Sequence, residues 1–276
     1  MIKKLAAIFA FFAIAIIFLN CALAGDTESR SEGKTRQFRL GQLALTVTER
    51  SANGDYLLKF SKDNEELIEG TCAFKTHEPK TFSHAPIADC RTLLAYCFSG
   101  GAHCCTTLFV ATECGTEESL DMVDLGHAAT EVQFITADST PEKQIKVLDW
   151  QFAYYGPEDA QIQLSFADSP AMTRLLVFDR GHWRADRAGE FSSFYSGLLH
   201  EAVRNAHIRA RRKQTGATAS LAIQAAYYDL MSGRSVEEAS EVLSRLFPDR
   251  WKSKSAKIAQ DVSRAASEFN PVETIR

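Results

Sequence analysis

Six of the seven cysteines lie between positions 72 and 114, and the rest of the chain beyond position 114 contains none. An even number of clustered cysteines in an exported chain is typical of a disulfide framework, which restricts the folds open to that segment. The sequence alone does not select one pairing among those that six cysteines allow. We expect all six to be paired: Cys72, Cys90, Cys97, Cys104, Cys105 and Cys114.

The N-terminal residues indicate export. A short basic region precedes an apolar run at residues 5–19, and small residues lead up to Ala24. This pattern predicts a secretory signal peptide at residues 1–24, with cleavage after Ala24 and a mature protein in the periplasm or outside the cell. The alternative is an uncleaved anchor, because residues 5–24 are just long enough to span a bilayer. The membrane is then a partner only through this segment.

Changes in composition divide the remaining chain into three segments. Residues 25–36 are polar and lack apolar periodicity, which predicts a disordered lead-in. Residues 37–190 contain alternating apolar segments and tight turns, which predict a disulfide-bonded, mainly antiparallel β domain. Apolar residues recur at helical spacing through residues 191–276, which predicts a helical region. The expected fold class is therefore α+β, with a disulfide-rich hairpin inside the β domain.

Individual elements follow from the same patterns. Strands are expected at residues 38–47, 144–155 and 162–166, among others. Helices are expected at residues 193–213 and 218–231. Ser235 begins a capping box that predicts a third helix, and a fourth is expected to end at Asn270-Pro271.

Charge and size favour contact between the two regions. Residues 25–190 carry a formal charge of −10, and residues 191–276 carry +4. An isolated bundle of about 80 residues is only marginally stable, so we expect the helices to dock on the β domain. The contact is predicted to run through Tyr195, Leu198 and Leu199. A mildly positive region on an exported chain does not indicate nucleic acid as a partner.

The strongest local motif runs from Ser99 to Cys105. Gly100 and Gly101 can adopt positive φ, so the apolar runs on either side, residues 92–97 and 104–111, predict a β-hairpin. The motif is either a structural staple or a ligand-binding loop in which His103 supplies a pH-sensitive hydrogen-bonding group. The two adjacent cysteines would face opposite sides of a regular strand, so they either bond to different partners or form a vicinal disulfide.

Ser99 to Thr107 resembles a motif of exported bacterial proteins of unassigned activity that carry the sequence SGGAHCC. Residues 147–155, which include an Asp-x-x-Phe-x-Tyr pattern, are similar to a second segment of those proteins, and the resemblance covers about residues 90–190. It implies export and a β-rich fold, and no reaction. Relatives carry a glycine-containing acidic stretch before the second segment. Residues 136–141 have one carboxylate and no glycine there, which argues against calcium.

No enzyme motif is complete. Ser99 lacks the glycine two positions earlier that a nucleophile elbow requires, and Arg204 stands where a zinc-protease helix needs its second histidine. The sequence also lacks a cofactor motif and the ligand spacings of zinc modules. The basic run Arg209–Lys213 lies at the predicted C-terminus of the first helix, where cations meet the negative end of the helix dipole. Contact with an envelope phosphate is the alternative role for this run.

These patterns favour a non-catalytic exported protein that binds an envelope partner or ligand. The alternative is a hydrolase-like enzyme in which His103 acts with a carboxylate such as Asp149, which would require both groups in one pocket. The candidate binding residues are Ser99, Gly100, Gly101, His103, Asp149 and Tyr154.

Overall fold

The computed structural model describes residues 34–50, 54–73, 77–100, 105–127, 131–156 and 163–275. Lys34–Arg276 form a compact unit that combines three antiparallel sheets with C-terminal helices, which confirms the predicted α+β class. The predicted leader lies outside the described residues. The disordered segment predicted at residues 25–36 extends too far towards the C-terminus. Thr35 and Arg36 already belong to the first strand and pair with the second.

The first sheet is a meander of four strands in the order β1-β2-β3-β4. Alternating residues of β2 and β3 are buried, as the sequence alternation requires. The single strand expected at residues 38–47 is instead a hairpin, since Gly41 turns the chain with a φ of +59°. The strands are β1 (Thr35–Leu40), β2 (Leu43–Glu49), β3 (Tyr56–Lys62) and β4 (Glu65–Cys72).

The second sheet contains the predicted hairpin, formed by β6 and β7, which pair in continuous register from Cys90–Cys114 to Phe98–Thr106. Its order is β13-β8-β7-β6-β5, so the C-terminal segment returns to a sheet formed much earlier in the chain. The strands are β5 (Lys80–Ser83), β6 (Cys90–Phe98), β7 (Thr106–Cys114), β8 (Glu117–Asp124) and β13 (Val272–Ile275).

The third sheet has the order β12-β11-β10-β9, and it corrects two expectations. The strand expected at residues 144–155 ends at Asp149, whose carboxylate accepts a hydrogen bond from Gln151 N and turns the chain. The described part of the segment at 162–166 is not a strand, and Phe166–Asp168 forms a short 3-10 helix capped by Ser165. The strands are β9 (Gln133–Ile135), β10 (Gln144–Asp149), β11 (Met172–Asp179) and β12 (His182–Ala185).

Helices follow the third sheet. Ser235 and Glu238 form the predicted capping box, with each side chain hydrogen-bonded to the other residue's backbone N–H. The single fourth helix expected from the sequence is divided in two, because residues 253–254 interrupt it. The helices are α1 (Ser192–Arg211), α2 (Thr215–Met231), α3 (Val236–Leu246), α4 (Asp249–Lys252) and α5 (Ser255–Glu268).

The helices and the third sheet share one hydrophobic core. Tyr195 of α1 is fully buried in this core, which also contains Leu175 and Val177 of β11. Leu198 and Leu199, the other predicted contact residues, pack partly buried against the same cluster. A second core lies between the first and second sheets, and a third lies between the second and third sheets.

Two disulfides join described cysteines. Cys72 of β4 pairs with Cys97 of β6 at a Cα–Cα distance of 5.1 Å, which links the first sheet to the second. Cys90 and Cys114 pair across the open end of the hairpin at 4.3 Å. Cys105 is also disulfide-bonded, and its partner lies outside the described residues, as do Cys21 and Cys104. The two described bridges thus hold three residues of the hairpin, Cys90, Cys97 and Cys114, under covalent constraint.

Two buried tyrosines predict a loss of stability at alkaline pH. Tyr56 donates a hydrogen bond to Tyr96 O at 2.5 Å, and burial raises the pKa of both phenols to about 12. A tyrosine in the unfolded chain titrates near pH 10, so the unfolded state loses its phenol protons at a lower pH than the folded state does. Deprotonation therefore favours the unfolded state, and the free energy of unfolding falls between about pH 10 and 12. Tyr56→Phe should reduce this slope by up to about 1.4 kcal/mol per pH unit.

Urea unfolding at several pH values between about 9 and 12 measures this slope. Tyr154→Phe is the matched control, because the Tyr154 ring is 42% exposed. Equal slopes for the Tyr56 and Tyr154 variants would contradict the prediction.

Candidate functional site

The tip of the hairpin positions three of the residues singled out in the sequence. Ser99 N donates to Cys105 O at 3.0 Å, and Cys105 N donates to Ser99 Oγ at 3.1 Å, so the motif closes on itself. Gly100 has a φ of +90°, and a Cβ placed there would come within 3.0 Å of the Ala73 side chain. The turn therefore requires glycine at position 100. Gly101 and His103 lie outside the described residues.

Cys105 also borders a cavity of about 580 Å³, which we call the acidic cleft. Asp149 at the end of β10 lies at the same cleft, so the structure brings the hairpin motif and the second sequence segment together. The C-terminal segment completes the walls. The charged and hydrogen-bonding side chains at the acidic cleft are those of Thr107, Asp124, His127, Asp149, Trp150, Gln151, Glu268, Asn270 and Glu273.

The charge of the acidic cleft is one-sided. Asp124, Glu268 and Glu273 are exposed, and Asp149 is buried at its edge. The described lining contains four carboxylates and no lysine or arginine. Carboxylates gathered around a concave surface create a negative potential that concentrates cations. The cleft therefore favours a positively charged ligand.

Aromatic rings form one side of the acidic cleft. The Trp150 ring stacks on Phe166 at 5.7 Å with an interplanar angle of 9°, and the His127 ring meets Trp150 edge-on at 5.9 Å. The buried ring nitrogens Trp150 Nε1 and His127 Nδ1 have no hydrogen-bond partner in the described structure. A buried polar group without a partner is costly, so a polar ligand or water that reached these nitrogens would be stabilising.

Asp149 is 2% exposed, and both of its oxygens are used. Oδ1 accepts from Gln151 N at 2.9 Å, and Oδ2 accepts from the Tyr227 hydroxyl at 3.0 Å. Burial raises the pKa of this carboxyl, while the two hydrogen bonds and Arg174 act in the opposite direction. Its role is to anchor the wall of the acidic cleft to the interior.

That interior contains a buried polar network around Arg174. Arg174 Nη1 donates to Tyr227 Oη at 2.7 Å, and Nε donates to Asp186 Oδ1 at 2.8 Å. Tyr195 donates to the other oxygen of Asp186 at 2.5 Å. Burial alone lowers the pKa of Arg174, but Tyr227 and Asp186 together raise it above its usual value. The arginine is therefore charged and its charge is compensated by Asp186.

Tyr154, the remaining sequence candidate, lies beside the cleft rather than in its lining. Its ring is exposed and packs against Phe166 at 5.5 Å, behind Trp150. Asp124, Glu268 and Glu273 were missed in the sequence, because they come from segments that only the return of β13 to β8 brings together. Trp150 was also missed, although it directly follows the predicted residue Asp149. Near these residues, the local pattern that the sequence analysis used was Asn270-Pro271, which predicted only the end of a helix.

A larger cavity, of about 770 Å³, lies on the other side of Phe269. Three arginines line it, but Arg184 already pairs with Glu190 at 2.7 Å and with Asp179 at 2.9 Å. Arg234 pairs with Glu238 at 2.9 Å. Most of its positive charge is thus compensated within the protein, in contrast to the carboxylates of the acidic cleft.

Within the described ranges, no three His, Cys, Asp or Glu side chains are placed to hold a metal ion together. No described helix combines the length and the hydropathy needed to cross a bilayer. Comparison of the chain with protein-family models, curated proteins and solved structures found no match.

Proposed function

We propose that this chain is an exported, non-catalytic binding protein that holds a small positively charged ligand in the acidic cleft. The observation that carries the proposal is a concave site whose described lining has three exposed carboxylates, the buried Asp149 and no lysine or arginine. Its volume of about 580 Å³ falls within the range of small-molecule sites.

Two properties of the cleft support a cation with an organic body. The carboxylates attract positive charge over several ångströms, and the same lining contains Trp150, the aromatic residue type that cations prefer. The apolar side chains of Met122 and Leu148 line the same cleft and suit the hydrocarbon part of an amine. The ligand class is therefore an aliphatic amine or a peptide with basic side chains.

Export to the periplasm, with cleavage after Ala24, belongs to the same proposal. The N-terminal residues have the three-part pattern of a secretory signal. The disulfides Cys72–Cys97 and Cys90–Cys114 are compatible with an oxidising compartment outside the cytosol.

The hydrolase alternative receives no support from the described residues. Asp149 accepts two hydrogen bonds inside the protein, so its oxygens are not directed at a histidine or a substrate. His103 lies outside the described residues, and its pairing with a carboxylate stays a prediction.

Calorimetric titration with spermidine, an aliphatic triamine, tests the binding proposal. We expect saturable binding that weakens with added salt, because the attraction is electrostatic. The double variant Glu268→Gln, Glu273→Gln should raise the Kd for spermidine about tenfold, because each exposed charge contributes up to about 1 kcal/mol to the free energy of binding.

The matched control is Glu65→Gln with Glu201→Gln, which removes the same charge from exposed positions away from the acidic cleft. This control should bind spermidine like the unaltered protein. If the control bound spermidine as weakly as the cleft variant, the effect would come from net charge and not from the acidic cleft, which would contradict the proposal. The proposal would also be contradicted if the unaltered protein bound neither spermidine nor a trilysine peptide.

A further inference from the structure

The C-terminus of α1 carries an unusual concentration of positive charge. We call Arg209, Arg211, Arg212 and Lys213 the basic tip. Every residue from 207 to 214 is exposed. Successive helical residues are rotated by about 100°, so a run exposed at every position projects into solvent on all sides. The cations of the basic tip therefore point around the helix end rather than along one face.

Carboxylates do not compensate the basic tip. Among the described residues, none of its four side chains forms an ion pair, and Arg209 bonds only to the neutral Gln214 at 2.8 Å. The negative end of the helix dipole favours cations there, but its effect is limited to the last turn and is screened by salt. Four neighbouring positive charges repel one another, and the described carboxylates do not offset this repulsion. Binding of an anionic partner would therefore be favourable.

A cavity of about 360 Å³ adjoins the basic tip and extends its charge. His207, Lys213 and Arg245 lie in its lining, together with the hydroxyl residue Thr215. The single carboxylate of the described lining, Asp249, is bonded to Lys252 at 2.7 Å. The cavity thus offers cationic and hydroxyl donors to an anionic group such as a phosphate.

An exposed apolar side chain lies within the same helical turn. Ile208 is 41% exposed and is one of three large hydrophobic side chains that are so exposed in the described structure. Clustered cations bind the headgroups of anionic lipids, and an aliphatic side chain beside them can insert at the boundary between headgroups and acyl chains.

We propose that the basic tip docks on the surface of an anionic phospholipid bilayer, with a headgroup phosphate in the adjoining cavity. The arrangement of the charges favours lipid over an acidic protein. A rigid protein surface contacts one face of a helix, whereas fluid headgroups can surround a projecting end and meet cations on all its sides. This surface is separate from the acidic cleft, and its function does not depend on the ligand bound there.

Co-sedimentation of the mature chain with vesicles tests the proposal. Vesicles of phosphatidylglycerol and phosphatidylcholine should bind the protein at about 0.1 M salt, and pure phosphatidylcholine should not. Each cation near an anionic surface strengthens binding by up to roughly fivefold, so replacing the four residues of the basic tip with glutamine should lower the partition coefficient by at least about thirtyfold.

The matched control replaces four cations that lie outside the helical region and form no ion pair with another described residue. It should retain binding to the anionic vesicles. Its residues are Lys34, Arg39, Lys143 and Arg180, each changed to glutamine.

A third variant, Ile208→Ser, keeps every charge and should lower the partition coefficient by about threefold to tenfold through the lost apolar contact. Unchanged thermal unfolding verifies that each variant is folded. Equal binding of the unaltered protein to neutral and anionic vesicles, equal binding by the basic-tip and control variants, or absence of vesicle binding would each overturn the proposal. Release by inorganic phosphate, but not by sodium chloride of equal ionic strength, would support the phosphate cavity.

Discussion

Asp186→Ala is expected to lower the free energy of unfolding by about 3–5 kcal/mol, the cost typical of breaking a buried ion pair. Asp186 and Arg174 both have side chains that are almost completely buried. Removal of the carboxylate leaves the guanidinium charge without compensation and leaves the Tyr195 hydroxyl without its acceptor. Cation–π contact of Arg174 with the Phe269 ring, at 4.5 Å, is too weak to replace it.

Urea unfolding near pH 7 measures this effect, with Asp179→Ala as the matched control. Asp179 bonds to Arg184 at 2.9 Å, but its side chain is 43% exposed, so its loss should lower the free energy of unfolding much less than the loss of Asp186. A similar cost for the two variants would mean that burial does not strengthen the Arg174–Asp186 pair, contrary to our interpretation.

Loss of the Cys72–Cys97 disulfide is the second large effect. The cysteines are 25 residues apart, and a loop of that length predicts a loss of about 3 kcal/mol when both are replaced by alanine. The physical cause is greater freedom of the unfolded chain, since the crosslink no longer restricts it. Both cysteines are buried, and Cys97 contributes to the core between the first and second sheets, so lost packing adds to the cost.

Denaturant unfolding of Cys72→Ala with Cys97→Ala measures this loss. Cys90→Ala with Cys114→Ala is a comparison of nearly equal loop length, because those cysteines are 24 residues apart. Its residues pair directly across the hairpin, so the bridge spans strands that already hydrogen-bond to each other. A loss below about 1 kcal/mol for the Cys72–Cys97 variant would show that the crosslink does not stabilise this fold as the chain-entropy argument requires.

Local patterns explain which parts of the fold could be predicted. The hairpin of β6 and β7 has apolar strand residues on both sides of a glycine turn, and the third helix has its capping box at Ser235. Such signals involve neighbouring residues and therefore appear in the sequence. The expected extension of β10 to residue 155 failed because a side-chain hydrogen bond from Gln151 N to Asp149 ends the strand, and alternation does not report it.

Long-range contacts explain the rest. Thr274 of β13 pairs with Asp121 of β8, and four residues with little alternation give no sign of such a distant partner. An arginine in the middle of β11 is expected from sequence to be exposed. Arg174 is buried because Asp186 and Tyr227, from other parts of the chain, accept its hydrogen bonds. The acidic cleft depends on the same distant pairings, so only Asp149 among its four carboxylates was predicted as a site residue.

The return of β13 to the second sheet gives the helices a different unfolding behaviour from that of a free tail. The chain leaves the third sheet after Ala185 of β12, passes through α1 to α5, and is fixed again at Val272. While both strands stay paired, the helical segment is a loop with two anchored ends. Its unfolding on its own gains less chain entropy than that of a tail with one free end. Hydrogen bonds in two sheets thereby couple helix melting to the cooperative unfolding of the strands.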